Sequence, residues 1–322
     1  MSVVERALRA LTLQGLRFVN RREPPSARLD GMYPGGPVLL GHRGARDHAL
    51  ENTMQSFGLA LALGADGVEL DVHLSADGFP VVIHDDTVDR TLRATGRVSE
   101  LGAAALAVLE PRREIDARYR DRLGPPWLGA PRGAPKLSRV LETMPDGAIV
   151  NVELKGPTPK KLGLEARVVE ALQPHLGRLY LVVSSFHPAQ LLAVRALDAS
   201  VPIGLLVDVE QNAILRSGFP ALALRPAAFH PPSRMVTPAL VEQAHQAGMR
   251  VHVWGIRSIE DAARLIELGV DALMVDDVPA MAPLVAATRG RRGGPGRRRG
   301  REPPVRNGEA SPSPLRGGPA GL

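Results

Sequence analysis

Short β-branched runs alternate with longer Ala/Leu-rich stretches through most of this 322-residue chain, and that alternation limits the fold more than any other feature. It is the pattern of repeated βα units, which pair their strands in parallel and cover them with helices. Nine runs read as strands: 37–42 (PVLLGH), 67–74 (GVELDVHL), 80–85 (PVVIHD), 148–155 (AIVNVELK), 179–186 (LYLVVSSF), 201–207, 227–231, 250–254 and 271–276. Only SADGF separates the second run from the third. Parallel neighbours need a crossover of about a dozen residues, whereas an Asp-Gly turn across so short a gap makes an antiparallel hairpin. Setting PVVIHD aside leaves eight parallel strands. The fold class expected is α/β, a TIM-type (β/α)8 barrel with a small hairpin and an insertion, about 86–137, over its C-terminal mouth.

The barrel is expected over residues 37–288, flanked by two segments of different character. Residues 289–322 hold nine arginines and two glutamates, a net of +7, so the +6 of the whole chain leaves −1 for residues 1–288. Rich in Gly, Pro and Arg and nearly without apolar side chains, this tail is expected to be disordered. The near-neutral barrel is not expected to bind nucleic acid. Residues 1–36 are read as an amphipathic helix and linker, with Val4, Ala7, Leu8, Leu11 and Leu16 at helical spacing among arginines. Contact with an anionic membrane through this helix or the basic tail is the alternative to packing on the barrel. With no secretory h-region and no apolar run near the roughly 20 residues of a span, the expected location is cytoplasmic or peripheral to a membrane. The absence of cysteine excludes disulfides, thiolate metal sites and a cysteine nucleophile.

In a TIM-type barrel the chemistry sits at the C-terminal strand ends. Run 67–74 alternates strictly, with Val68, Leu70, Val72 and Leu74 on one face and Glu69, Asp71 and His73 on the other. In a strand covered on both sides, those carboxylates point into the barrel and need a cation. Run 148–155 places Asn151, Glu153 and Lys155 on one face in the same way. Glu69, Asp71 and Glu153 together form an oxygen-ligand set for one hard divalent cation, Mg²⁺ or Ca²⁺, with a Glu153–Lys155 salt bridge as the plainer alternative. His42 ends the first strand and His84 ends the hairpin, and the two are read as a general acid and base. Arg43 offers a fork matched to phosphate and Lys155 a point charge, a combination suited to phosphoester cleavage.

Taken in order, GHRG, ENTMQSF, GADGVELDVHLSADGFPVVIHD, DRTLRATGRV, VNVELKG, SSF, VHVWGI and GVDALMVDDVP resemble the glycerophosphodiester phosphodiesterase family over roughly residues 38–279. The resemblance implies metal-dependent hydrolysis of glycerophosphodiesters to glycerol 3-phosphate and an alcohol. It carries the ligand role to Glu69, Asp71 and Glu153, acid/base roles to His42 and His84, and phosphate binding to Arg43 and Lys155. Glu51 and Asn52 match the family's Glu-Asn-Thr element near the metal and first histidine, and Phe186 and Trp254 match apolar positions near the glycerol or alcohol end. The chain departs from the family at WGIR, where Trp-Thr-Val-Asn is usual, at DDVP, where Thr-Asp-x-Pro is usual, and at HPP (230–232). These changes are read as shaping the alcohol pocket. His48 matches no family position and is expected to be a solvated loop histidine. A lysophospholipase D acting on lysolipids at a membrane surface is the alternative activity, and a silent barrel that binds a phosphodiester or RNA through its arginine-rich tail is the non-enzymatic one.

Overall fold

Strand formation follows the alternation in the sequence, one face of each strand turning into the barrel and the other lying under helices. The computed structural model describes residues 25–33, 35–156, 163–211 and 224–292. One sheet contains β1 (Val38–His42), β2 (Gly67–Leu74), β3 (Pro80–Val82), β4 (Ile149–Leu154), β5 (Tyr180–Ser185), β6 (Ile203–Leu206), β7 (Ala228–His230), β8 (Arg250–Val253) and β9 (Ala272–Val275). Its order is β1-β9-β8-β7-β6-β5-β4-β2-β3, and β1 also pairs with β2, so eight parallel strands close into a TIM-type barrel. The ninth, β3, runs antiparallel to β2, with Val72 opposite Val82 and Leu74 opposite Pro80. His84 and Asp85 lie beyond its last paired residue, so the hairpin strand is shorter than the run PVVIHD.

The helices are α1 (Met54–Ala62), α2 (Ala103–Val108), α3 (Leu137–Thr143), α4 (Leu164–Leu172), α5 (Pro188–Leu197), α6 (Pro238–Gln246), α7 (Ile259–Glu267) and α8 (Val278–Arg292). Thr53, Thr237 and Ser258 start α1, α6 and α7 by accepting from the backbone N–H three residues on, which satisfies a donor that the first turn leaves unpaired. Between barrel and helices lies the main apolar core, to which β2 gives Val68, Leu70 and Val72 and β4 gives Val150, Val152 and Leu154.

Inside the barrel, a second apolar group fills the N-terminal end: Val38, Leu40, Ile149, Val182, Ala228, Ala272 and Met274. A 3-10 segment, Pro25–Met32, closes that end with the buried side chains of Leu29 and Met32. Most of the expected amphipathic helix, residues 1–24, lies outside the described residues, as do 293–322 of the expected tail. The last helix, α8, continues to Arg292 and so takes in the first four residues of the expected tail. Arg289 is held there by the Pro37 carbonyl (2.7 Å) and Asp66 (2.5 Å). No helix among the described residues is long and apolar enough to cross a membrane.

The segment between β3 and α3 lies over the mouth. It builds its own small core from Val88, Leu92, Val98, Ala103 and Leu106 against Leu50, Val81 and Ile83. It also crosses the β1–α1 connection, where the Asp116 N–H donates to the His48 carbonyl (2.7 Å) and Arg113 donates to the Arg46 carbonyl (2.8 Å). Leu70, fully buried in the main core, and Leu192, 47% exposed on α5, give a direct test of where stability resides. Leu70→Ala should cost about 3 kcal/mol of unfolding free energy and Leu192→Ala less than about 0.5 kcal/mol, measured by urea denaturation.

Candidate active site

The period of two in β2 brings Glu69 and Asp71 inward, and the parallel register sets Asp71 beside Glu153 of β4. All three are buried, and one carboxylate oxygen from each lies within 4.8 Å of the others. Burial, and then the charges of Asp71 and Glu153, hold the Glu69 carboxyl well above its usual range. Burial also pushes Glu153 up to about 7. Asp71 goes the other way: burial opposes its charge, but Lys155 and Arg43 outweigh that and lower it. Lys155 Nζ lies 2.5 Å from Glu153 and 3.1 Å from Asp71, and Arg43 Nε lies 3.1 Å from Asp71. The Glu153–Lys155 salt bridge therefore exists inside the carboxylate cluster. Three hard oxygen donors gathered in one buried volume fit a divalent cation.

Two histidines face this cluster with the same arrangement. His42, at the end of β1, has Nδ1 2.6 Å from Asp276 Oδ1 and Nε2 3.9 Å from Glu69 Oε2. His84, just past the hairpin, has Nδ1 2.6 Å from Asp85 Oδ1. A carboxylate on Nδ1 fixes the tautomer and leaves Nε2 to exchange a proton. Burial lowers the His84 pKa, which keeps its ring neutral near pH 7. His73, the third inward residue of β2, meets the His84 carbonyl through Nε2 at 3.0 Å and holds the returning chain.

The β1–α1 connection is compressed. A Cβ on Gly41 would sit 2.7 Å from the Gly44 carbonyl oxygen, and one on Gly44 would strike Ser56, so GHRG needs both glycines. Arg43 (φ 55°) and Asn52 (φ 57°) adopt the left-handed conformation that L side chains rarely take. The return is a set of contacts with the cluster. The Arg43 N–H donates to Glu69 (3.1 Å), and Asn52 Nδ2 donates to Asp71 (2.8 Å). Glu51 is buried and faces three guanidiniums: Arg43 (3.0 Å), Arg46 (3.1 Å) and Arg90 (2.7 Å). Burial would raise its carboxyl, but hydrogen bonds and charge from Arg90 and Arg43 hold it at about 2.

Across the mouth, Phe186 and Trp254 stand at the ends of β5 and β8 with rings edge to face, centroids 5.8 Å apart. The Trp254 Nε1–H donates to the His230 carbonyl (3.0 Å). The structure thus gathers the carboxylates, both histidines, Arg43, Lys155, Glu51 and Asn52 around one centre, and places Phe186 and Trp254 together as an apolar wall.

Two expectations change. His48 is not solvated: it is 7% exposed, with Nε2 3.1 Å from Asp277 and its ring edge-on to Tyr119, because the insertion folds onto it. The DDVP departure does not act only on an alcohol pocket, since Asp276 lies directly on His42. Barrel closure sets β9 beside β1 and so brings these residues together. Asp276, Asp85 and Arg90 stand in the motifs DDVP, PVVIHD and DRTLRATGRV but carry no role in the sequence reading, and Arg46 stands in none of the quoted motifs. Asp85 could have been suspected as the neighbour of His84, but Arg90 sits in an insertion without periodicity.

A closed (β/α)8 barrel with buried carboxylates, two carboxylate-backed histidines and two cations at its C-terminal mouth belongs to the barrel hydrolases that act on charged esters. Residues 42–280 match the model of the glycerophosphoryl diester phosphodiesterase family, and the chain belongs to that family. It is 33% identical over 249 residues to a glycerophosphodiester phosphodiesterase of Caldanaerobacter subterraneus, covering 77% of this chain and 97% of that one. Among solved structures it is similar to an Oleispira antarctica phosphodiesterase in complex with the product sn-glycerol-3-phosphate (27% identity, TM-score 0.62, 78% of this chain and 97% of that one). It is also similar to a glycerophosphodiester phosphodiesterase from Agrobacterium tumefaciens (27% identity, TM-score 0.61, 79% and 99% covered).

The depressed Glu51 carboxyl has a consequence for acid stability. A carboxyl with a folded pKa of about 2 against an ordinary 4.5 stabilises the fold fully above the ordinary value and loses that contribution as pH falls toward 2. Urea midpoints measured between pH 6 and pH 2.5 should fall less steeply for Glu51→Gln than for the wild type, the two curves converging at the acid end.

Proposed function

We propose that the chain hydrolyses glycerophosphodiesters to glycerol 3-phosphate and an alcohol, with His42 and His84 as the acid/base pair. Glu69, Asp71 and Glu153 would hold one divalent cation, Mg²⁺ or Ca²⁺. The observation that carries this reading is the pair of histidines, each with Nδ1 fixed by an aspartate at 2.6 Å, beside one buried cluster of three carboxylates. A hard cation bound there would supply a Lewis acid, and positive charge to meet the negative charge that builds on the phosphoryl oxygens.

The chain's own groups do the rest. One histidine takes a proton from the attacking oxygen through Nε2, and the other delivers a proton to the leaving alkoxide. Asp276 and Asp85 stabilise whichever ring is positively charged at that moment. Arg43 and Lys155 add fixed positive charge beside the phosphate, in a setting where burial strengthens it. Phe186 and Trp254 give the carbon skeleton of the glycerol or alcohol an apolar wall, while the insertion over the mouth limits the entry of water.

Activity is tested by glycerol 3-phosphate release from a panel of glycerophosphodiesters with Mg²⁺, Ca²⁺ or chelator. Chelator should abolish release, and His42→Ala or His84→Ala should each lower kcat by at least about two orders of magnitude with metal binding retained. Near-normal turnover in His42→Ala would defeat the acid/base assignment. Headgroup release from lysophosphatidylcholine exceeding that from glycerophosphocholine would move the substrate to lysolipids.

Metal affinity should depend on pH with a definite sign. Glu153, pushed up to about 7, and Glu69, held well above its usual range, hold protons that a cation must displace. Calorimetric affinity for Mg²⁺ or Ca²⁺ should therefore rise from pH 6 to pH 8 with proton release, and Glu153→Gln should flatten that dependence as well as weaken binding.

A further inference from the structure

An unbroken line of hydrogen bonds joins the two histidines by a path outside the carboxylate cluster. Asp276 holds His42 Nδ1 with one oxygen (2.6 Å) and accepts from Arg46 Nη1 with the other (3.2 Å). Arg46 Nε donates to Glu51 (3.1 Å). From the other side of Glu51, Arg90 donates through both terminal nitrogens to the two carboxylate oxygens (3.1 and 2.7 Å). Its Nε donates to Asp85 (2.5 Å), whose other oxygen holds His84 Nδ1 (2.6 Å). Cation and anion alternate from Asp276 through Arg46, Glu51 and Arg90 to Asp85, and each aspartate accepts from a histidine ring at its end of the path, so every link is charge-assisted.

We propose that this arch sets the ring orientation of both histidines, with Glu51 as its hub and Arg46 and Arg90 as positioning residues. The inference rests on the acid/base reading of His42 and His84 given above. An aspartate that holds a ring by one oxygen can still swing about its own side-chain torsions unless the second oxygen is also held. Asp85 is partly exposed, with 27% of its side chain open to solvent, and Arg90 engages both of its oxygens, at 2.5 and 3.1 Å. Burial opposes the Asp85 charge, yet the bonds from Arg90 and His84 carry its carboxyl down to about 2, so it stays an acceptor for His84. Asp276 is restrained by one bond, from Arg46 Nη1 to the oxygen that His42 does not use (3.2 Å).

The segments involved are separate in the chain: Asp276 follows β9, Arg46 and Glu51 lie between β1 and α1, and Arg90 belongs to the insertion. The insertion therefore does more than cover the mouth. Its docking fixes the reach of His84, and a ring displaced by about 1 Å costs on the order of a hundredfold in rate.

The test compares Arg90→Gln with Arg97→Gln, which removes an ion pair to Asp86 elsewhere in the insertion. Arg90→Gln should lower kcat for glycerol 3-phosphate release at least about tenfold with KM within about twofold, and Arg97→Gln should change neither. A second readout needs no turnover. Low-field proton NMR should show an Nδ1–H resonance for each histidine, assigned by its loss in His42→Ala and in His84→Ala. Arg90→Gln should shift or broaden the His84 signal and leave that of His42 in place. A kcat equal to that of Arg97→Gln, a loss confined to KM, or an unmoved His84 resonance would each overturn the arch. A wild-type protein that released no glycerol 3-phosphate, but whose His84 signal moved in Arg90→Gln, would defeat the proposed substrate and keep the arch.

Discussion

Burial of three neighbouring carboxyl groups is the constraint on which the mouth of this barrel depends. Glu69, Asp71 and Glu153 lie within one small volume behind little solvent, where their mutual repulsion is poorly screened. Lys155 and Arg43 answer part of that charge, and Arg43 reaches it only from a left-handed backbone conformation. Arg43, Arg46 and Arg90 in turn need an anion, and Glu51 supplies it. Charge compensation thus spreads outward in alternating layers, from the cluster to the cations and then to the hub. The unusual backbone geometry of the first connection is maintained because the electrostatics require it.

The two ends of the barrel divide the work. At the N-terminal end, apolar side chains from several strands meet Leu29 and Met32 in a buried plug. At the C-terminal end, the same strands present carboxylates, histidines and an asparagine. This polarity along the strand direction lets a stable frame carry a charged, partly strained site.

The sequence made visible whatever depends on local period. The alternation in 67–74 separated Glu69 and Asp71 from Val68 and Leu70, and the short SADGF link separated the hairpin from the barrel. Glu153 could be placed because parallel strands of a closed barrel stand in known order. The partners of the histidines were harder. Asp276 meets His42 across 234 positions of sequence, a pairing that appears only when the last strand closes on the first. Arg90 and the burial of His48 depend on how an aperiodic insertion folds back, and no repeat in the residues encodes that. Asn52 and Arg43 stood in recognisable motifs, but their left-handed backbone has no compositional mark, since neither is glycine.

The contact of Arg289 with Pro37 and Asp66 ties the end of the last helix to the beginning of the first strand, beneath the barrel. The 3-10 segment that begins at Pro25 occupies the same side. Both ends of the described chain therefore leave from the floor of the molecule, with the full height of the barrel between them and the reacting groups. The two described ends thus share the side of the barrel that takes no part in the site.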